Sequence, residues 1–162
     1  MSEPYHRSKC STWQTPAVVL DRVRQIGPIG LDPATSDDNP TGAAHHFTTD
    51  GLAQSWAGHG LVYVNPPYGR TETRQWTAKM AAEAAEGVEI VALLPARPST
   101  IWWHTHVLTA RLVAFWRGRL RFVGADSGAP FPSAIIYWGW RSGFAAAALA
   151  DHAWVVRLQS PE

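Results

Sequence analysis

The chain has one cysteine, Cys10, in 162 residues. A lone cysteine excludes an internal disulfide and a cysteine-based zinc site. Long apolar runs are also missing. The Ala-rich stretch from Ala145 to Ala150 runs straight into Asp151 and His152, far short of the roughly 20 apolar residues of a membrane-spanning helix. No signal-peptide pattern opens the sequence. The expectation is a cytoplasmic protein with no membrane partner. Net charge is only +1, so no overall basic character announces nucleic acid. His45 and His46 are adjacent, and His104 and His106 are two apart. Neither spacing suits metal ligands on a helix, and no metal site is expected.

What is present describes a globular chain. Hydrophobic residues make up 46% and charged residues 17%, too apolar a balance for disorder. The length fits a single domain, 1–162, with residues 1–12 expected to be disordered. No internal repeat or linker divides it. Charge is unevenly spread: from Arg97 onward there are seven arginines against three acids, Asp126, Asp151 and Glu162. Such asymmetry suits an anionic partner, or arises by chance in a short chain.

The most informative segment is Asn65-Pro66-Pro67-Tyr68, delivered by the apolar run Leu61 to Val64. It fits one reaction, methyl transfer to a planar amino nitrogen. The exocyclic amine of a nucleobase is a poor nucleophile because its lone pair is delocalised into the ring. Accepting hydrogen bonds from both N–H groups draws the nitrogen toward a pyramidal, reactive geometry. The Asn65 side-chain carbonyl can take one and the Pro66 main-chain carbonyl the other. Consecutive prolines hold that carbonyl fixed. Tyr68 offers a face on which a flipped-out base can stack. The plain alternative is a Pro-rich turn after a strand.

Helices and strands alternate along the chain. Helices are expected over Thr15–Ile26 (Thr15 as N-cap, Pro16 at the first helical position), Glu72–Glu86, Thr100–Thr109 and Gly143–Ala150. Strands are expected over Ile29–Ala34, Leu61–Val64, Glu89–Leu94, Arg111–Trp116, Arg119–Val123, Ser133–Trp140 and Ala153–Leu158. This predicts an α/β fold, a mostly parallel sheet with helices on both faces, in a single compact domain. Ligands of such sheets sit beyond the carboxyl ends of the strands, which is where Asn65 falls.

The run Trp13-Gln14-Thr15-Pro16, Leu31-Asp32-Pro33-Ala34, Phe47-Thr48-Thr49-Asp50-Gly51-Leu52 and Val64-Asn65-Pro66-Pro67-Tyr68-Gly69 resembles the phage DNA N-6-adenine-methyltransferase (Dam) family. So do Arg117-Gly118-Arg119-Leu120-Arg121-Phe122 and Ala129-Pro130-Phe131-Pro132-Ser133, which are more specific to it than the tetrapeptide. The resemblance runs from about Trp13 to Trp138. It implies a Rossmann-like methyltransferase fold, S-adenosyl-L-methionine as methyl donor and adenine in DNA as acceptor.

Cofactor candidates follow. Asp32 would sit at a strand's carboxyl edge and hydrogen-bond the cofactor's amino acid part or ribose; it also reads as a turn residue before Pro33. Asp50 resembles the acid that takes the exocyclic amine of the cofactor's adenine; it also suits a helix N-cap. Thr15 and Pro16 resemble the Thr-Pro that lines the methionine end, beside Asn65. One departure stands out. No Gly-x-Gly follows Asp32, although many methyltransferases carry a Gly-rich turn there.

For DNA, Arg117, Arg119 and Arg121 alternate, so on a strand they share one face suited to phosphates; a solvated, charge-guarded edge strand is the alternative. Trp102 and Trp103 are adjacent and cannot both point inward from a helix. Trp103 is the candidate stacking residue, with packing beneath a loop as the alternative. The reading is a methyltransferase acting on a flipped DNA base, adenine N6 first. Cytosine N4, a protein amide and a nucleic-acid-binding module with a decayed cofactor pocket remain rivals. Oligomeric state, monomer or homodimer, is open.

Overall fold

The computed structural model describes residues 13–159, and the expected disorder of residues 1–12 lies outside the described residues. Seven strands form one sheet: β1 (Ile29–Asp32), β2 (His45–His46), β3 (Leu61–Val64), β4 (Ile90–Pro95), β5 (Leu112–Trp116), β6 (Ser133–Trp138) and β7 (Ala153–Arg157). Their order is β2-β1-β3-β4-β6-β5-β7. Helix α1 (Ala17–Ile26) precedes β1, and α2 (Arg70–Ala85), α3 (Ile101–Thr105) and α4 (Ser142–Leu149) lie between later strands.

The mostly parallel expectation is corrected. The β2–β1, β1–β3 and β3–β4 pairs are parallel, but β4–β6, β6–β5 and β5–β7 are antiparallel with longer ladders. The cause is that β6 runs back antiparallel between β4 and β5, and β7 then pairs antiparallel on the outer side of β5. The carboxyl ends of β1, β3 and β4 still share one edge, joined there by the start of β6, since Pro95 pairs with Ser133.

Side-chain alternation builds two core layers. Tyr63, Val91, Leu93, Ile135 and Tyr137 face α1 and α4. Val62, Val64, Ile90, Ala92 and Ile136 face the Trp76 and Met80 side of α2 and Trp103 of α3. Helices therefore cover both faces.

Two local expectations fail for identifiable reasons. Helix α1 starts at Ala17 with Pro16, extended, at the cap position. Thr15 is one residue too early to cap it, and its hydroxyl is used elsewhere. The segment Arg119 to Val123 is not a strand. Both neighbours of β5 are already taken by β6 and β7, so the segment cannot pair with the strand that precedes it. It is tied instead by Val123 N–H to Gln14 O (3.1 Å) and by Ala129 N–H to Leu120 O (2.8 Å). Alternation survives without the strand, with Leu120 and Phe122 buried and Arg117, Arg119 and Arg121 exposed.

Candidate active site

Strand β3 is buried along its whole length and ends at Val64, so Asn65 emerges at the carboxyl edge in the middle of the parallel part of the sheet. Its amide nitrogen donates to Trp13 O and to Thr15 Oγ1, the latter at 3.0 Å. Thr15 Oγ1 is in turn 2.8 Å from the Tyr63 hydroxyl. A main-chain carbonyl can only accept, so the contact with Trp13 fixes which end of the amide is nitrogen. The other end, Asn65 Oδ1, is buried and has no hydrogen-bond partner among the described residues. Leaving a buried acceptor unmade costs about 1–3 kcal/mol, which marks it as a place for a donor from outside.

Pro66 is buried and Pro67 half-buried. Pro66 has a second consequence. The parallel ladder places Val62 N–H on Glu89 O at 2.9 Å. Two steps of two residues further, Pro66 should donate to Leu93 O, but proline has no N–H. The Tyr68 hydroxyl donates to that carbonyl at 3.0 Å. The bond turns the Tyr68 ring inward, edge-on to Phe131 (5.5 Å) and Phe122 (6.3 Å). Burial pushes the Tyr68 phenol well above its usual range, so it stays protonated as a donor.

Asp32 ends β1 and is 2% exposed. Its Oδ1 accepts from Ala34 N–H (3.1 Å) and its Oδ2 from the Thr41 hydroxyl (2.9 Å). Burial raises its pKa despite those bonds. Asn39, at a left-handed φ of 44°, bridges both backbone groups of Ala43. Side chains thus shape the loop after β1, which carries no Gly-x-Gly. Asp50 is exposed, with φ of 56°, and opens a turn rather than a helix: its carbonyl accepts from Ala53 and Gln54 N–H. Gly51 is obligatory next to it, because a Cβ there would lie 1.9 Å from Pro33 O. That close approach sets Asp50 against the loop that follows Asp32.

The structure therefore brings Thr15, Pro16, Asp32, Asp50 and Asn65 to one stretch of sheet edge. Phe122 packs on Trp13 (5.2 Å) as well as on Tyr68, so the exposed Arg119 and Arg121 lie on the segment that covers the site. Arg121 Nε also donates to Ala125 O at 3.0 Å. Trp103 is the exception. It is 3% exposed, stacked on Phe115 at 6.2 Å, and belongs to the core. Its neighbour Trp102 is half-buried and faces a cleft of about 880 Å³.

That cleft opens beside Tyr68, between the start of α2 and the segment after β4, and sequence reasoning missed it. Arg70, Arg74, Arg97, Trp102 and His106 line it. Burial and then Arg74 lower the His106 pKa. The signal was present in the sequence: Arg70 lies two residues past Tyr68, Arg74 is one helical turn on, and Arg97 lies just past β4 at the same edge.

The site is thus a mixed α/β sheet that carries Asn-Pro-Pro-Tyr past the carboxyl end of an interior strand. The chain belongs to the DNA N-6-adenine-methyltransferase (Dam) family, whose model matches residues 5–134. The match ends within β6 and leaves α4 and β7 outside it. No curated protein matches the chain. Among the described residues, no three His, Cys, Asp or Glu side chains group as metal ligands, and no helix is long and apolar enough to cross a membrane.

Proposed function

We propose that the protein transfers a methyl group from S-adenosyl-L-methionine to the exocyclic amine of a DNA base, adenine N6, in the cytoplasm of a bacterial host cell. The observation that carries this reading is the buried, partnerless Oδ1 of Asn65, held in place by two bonds from the other end of the same amide. An acceptor fixed in this way costs no reorganisation when the amine takes on positive charge. The target base is flipped out, and Asn65 Oδ1 and the Pro66 carbonyl accept its two N–H groups. Tyr68 presents its face to the base. No general base is required, because the methylated nitrogen loses its proton to water. Arg117, Arg119 and Arg121 contact the DNA backbone beside the site.

The residues at the edge of β1 and β3 fit a polar cofactor. Asp50 offers an exposed carboxylate, Thr15 and the extended Pro16 sit beside Asn65, and Asp32, 2% exposed and bonded to Ala34 and Thr41, acts through the loop it shapes. When bound, the cofactor supplies an activated methyl group, so positioning is the protein's main task. Cytosine N4 presents the same amine geometry, and family membership is what favours adenine.

The binding half of the proposal is tested by thermal denaturation with the donor. At a hundredfold excess over its dissociation constant it should stabilise the fold by roughly 2.7 kcal/mol. Asp50→Ala should weaken that shift more than Asp37→Ala. No shift with the donor, with or without DNA, contradicts a working methyltransferase.

A further inference from the structure

We infer that the cleft beside Tyr68 takes the unpaired DNA strand next to the target base, with Arg70, Arg74 and Arg97 on its phosphates and Trp102 stacked on a neighbouring base. The inference rests on the methyltransferase reading for the identity of the strand, but its observations are separate. No acidic residue lines the cleft, and no carboxylate pairs with Arg70, Arg74 or Arg97 among the described residues. All three are exposed. Guanidiniums left open around a concavity call for an anion, and their planar forks match phosphate oxygens.

The aromatic side of the cleft makes nucleic acid the fitting anion. Trp102 is half-buried against Trp103 at 5.6 Å, which is itself locked on Phe115. Its remaining face is held by the core rather than free to swing. Ile101, 86% exposed, extends the apolar rim. A cationic groove with an aromatic platform is the arrangement that holds single strands without reading their sequence. Size points the same way. About 880 Å³ lies within the roughly 300–1,000 Å³ of small-ligand sites. A base and its neighbouring nucleotide enter such a space, and a duplex does not. Tyr68 lines the cleft too, so a strand held there delivers its base to Asn65 without crossing the molecule.

The test is fluorescence anisotropy of a labelled single-stranded oligodeoxynucleotide across a salt series, with no methyl donor present. Each lost phosphate contact should flatten the log–log salt slope by about 0.7 on single strands. The Arg70→Ala, Arg74→Ala, Arg97→Ala triple variant should lose about 2 from the slope, and the Arg→Lys triple should recover most of it. Trp102→Ala should weaken binding roughly 5- to 150-fold at an unchanged slope, and Trp102→Phe should retain most affinity. An unchanged slope in the triple Ala variant overturns the inference. So does unchanged affinity in Trp102→Ala, a slope change seen only on duplex, or wild-type protein that does not bind the oligonucleotide. A wild type that shows the predicted binding yet transfers no methyl group to DNA leaves the cleft standing and removes the methyltransferase reading.

Discussion

The two ends of strand β4 handle buried polarity in opposite ways. At its amino end Glu89, 2% exposed, takes Arg141 on both oxygens (2.9 and 2.6 Å) and the Tyr137 hydroxyl at 2.6 Å. Arg141 N–H then donates to Tyr137 Oη at 2.8 Å, closing the loop. Gly27 gives the guanidinium room, since a Cβ there would lie 2.7 Å from it. At the carboxyl end the accounts stay open. Among the described residues, Asn65 Oδ1 and Ser133 Oγ are buried without partners, and three arginines face a cleft without acids. The lesson is that a complete network serves the fold, whereas an incomplete one held rigid by its surroundings is reserved for something that arrives.

The sharpest way to break that contrast is to open the closed end. Arg141→Ala would strand a buried carboxylate and should cost about 3–5 kcal/mol of stability, read as a lower denaturation midpoint. Methyl transfer by the folded fraction should be little changed. A large activity loss in folded protein would mean the amino end also serves the reaction.

Asn65→Ala should do the reverse. Turnover should fall about a hundred- to a thousandfold with cofactor affinity within a fewfold. Stability should hold, because the lost donor bonds are offset by relief of the orphaned acceptor. Asn65→Asp should rescue little. It keeps an acceptor but sets its second oxygen against the Trp13 carbonyl, where the amide nitrogen now donates. Near wild-type turnover in Asn65→Asp would show that the Trp13 contact does not orient the site.

Tyr68 gives the smallest effect and refines the comparison. Its sequence suggests only a stacking face, for which Tyr68→Phe is silent. The hydroxyl, however, replaces the donor that Pro66 lacks, so Tyr68→Phe should cost about 1–3 kcal/mol of stability with the ring still in place. An unchanged midpoint in chemical denaturation would show that water satisfies Leu93 O.

Much of this was legible in the chain. Leu61 to Val64 and the position of Asn65 past its end follow from one apolar run and two prolines. What the sequence hid depends on neighbours distant along the chain. The partnerless Oδ1 arises only because Trp13 and Thr15 converge on the other end of Asn65. Trp103, the residue expected to stack on a base, is claimed by Phe115, and its neighbour Trp102 faces the cleft instead. Parallel pairing was overestimated because alternation of helix and strand does not reveal that β6 runs back antiparallel between β4 and β5.

The most direct test of the central claim is mass analysis of nucleosides from DNA incubated with the protein and S-adenosyl-L-methionine. Wild-type protein should yield N6-methyladenine, with a hundredfold or greater loss in Asn65→Ala. N4-methylcytosine alone, methyl label on protein only, or equal N6-methyladenine from both proteins would contradict that claim.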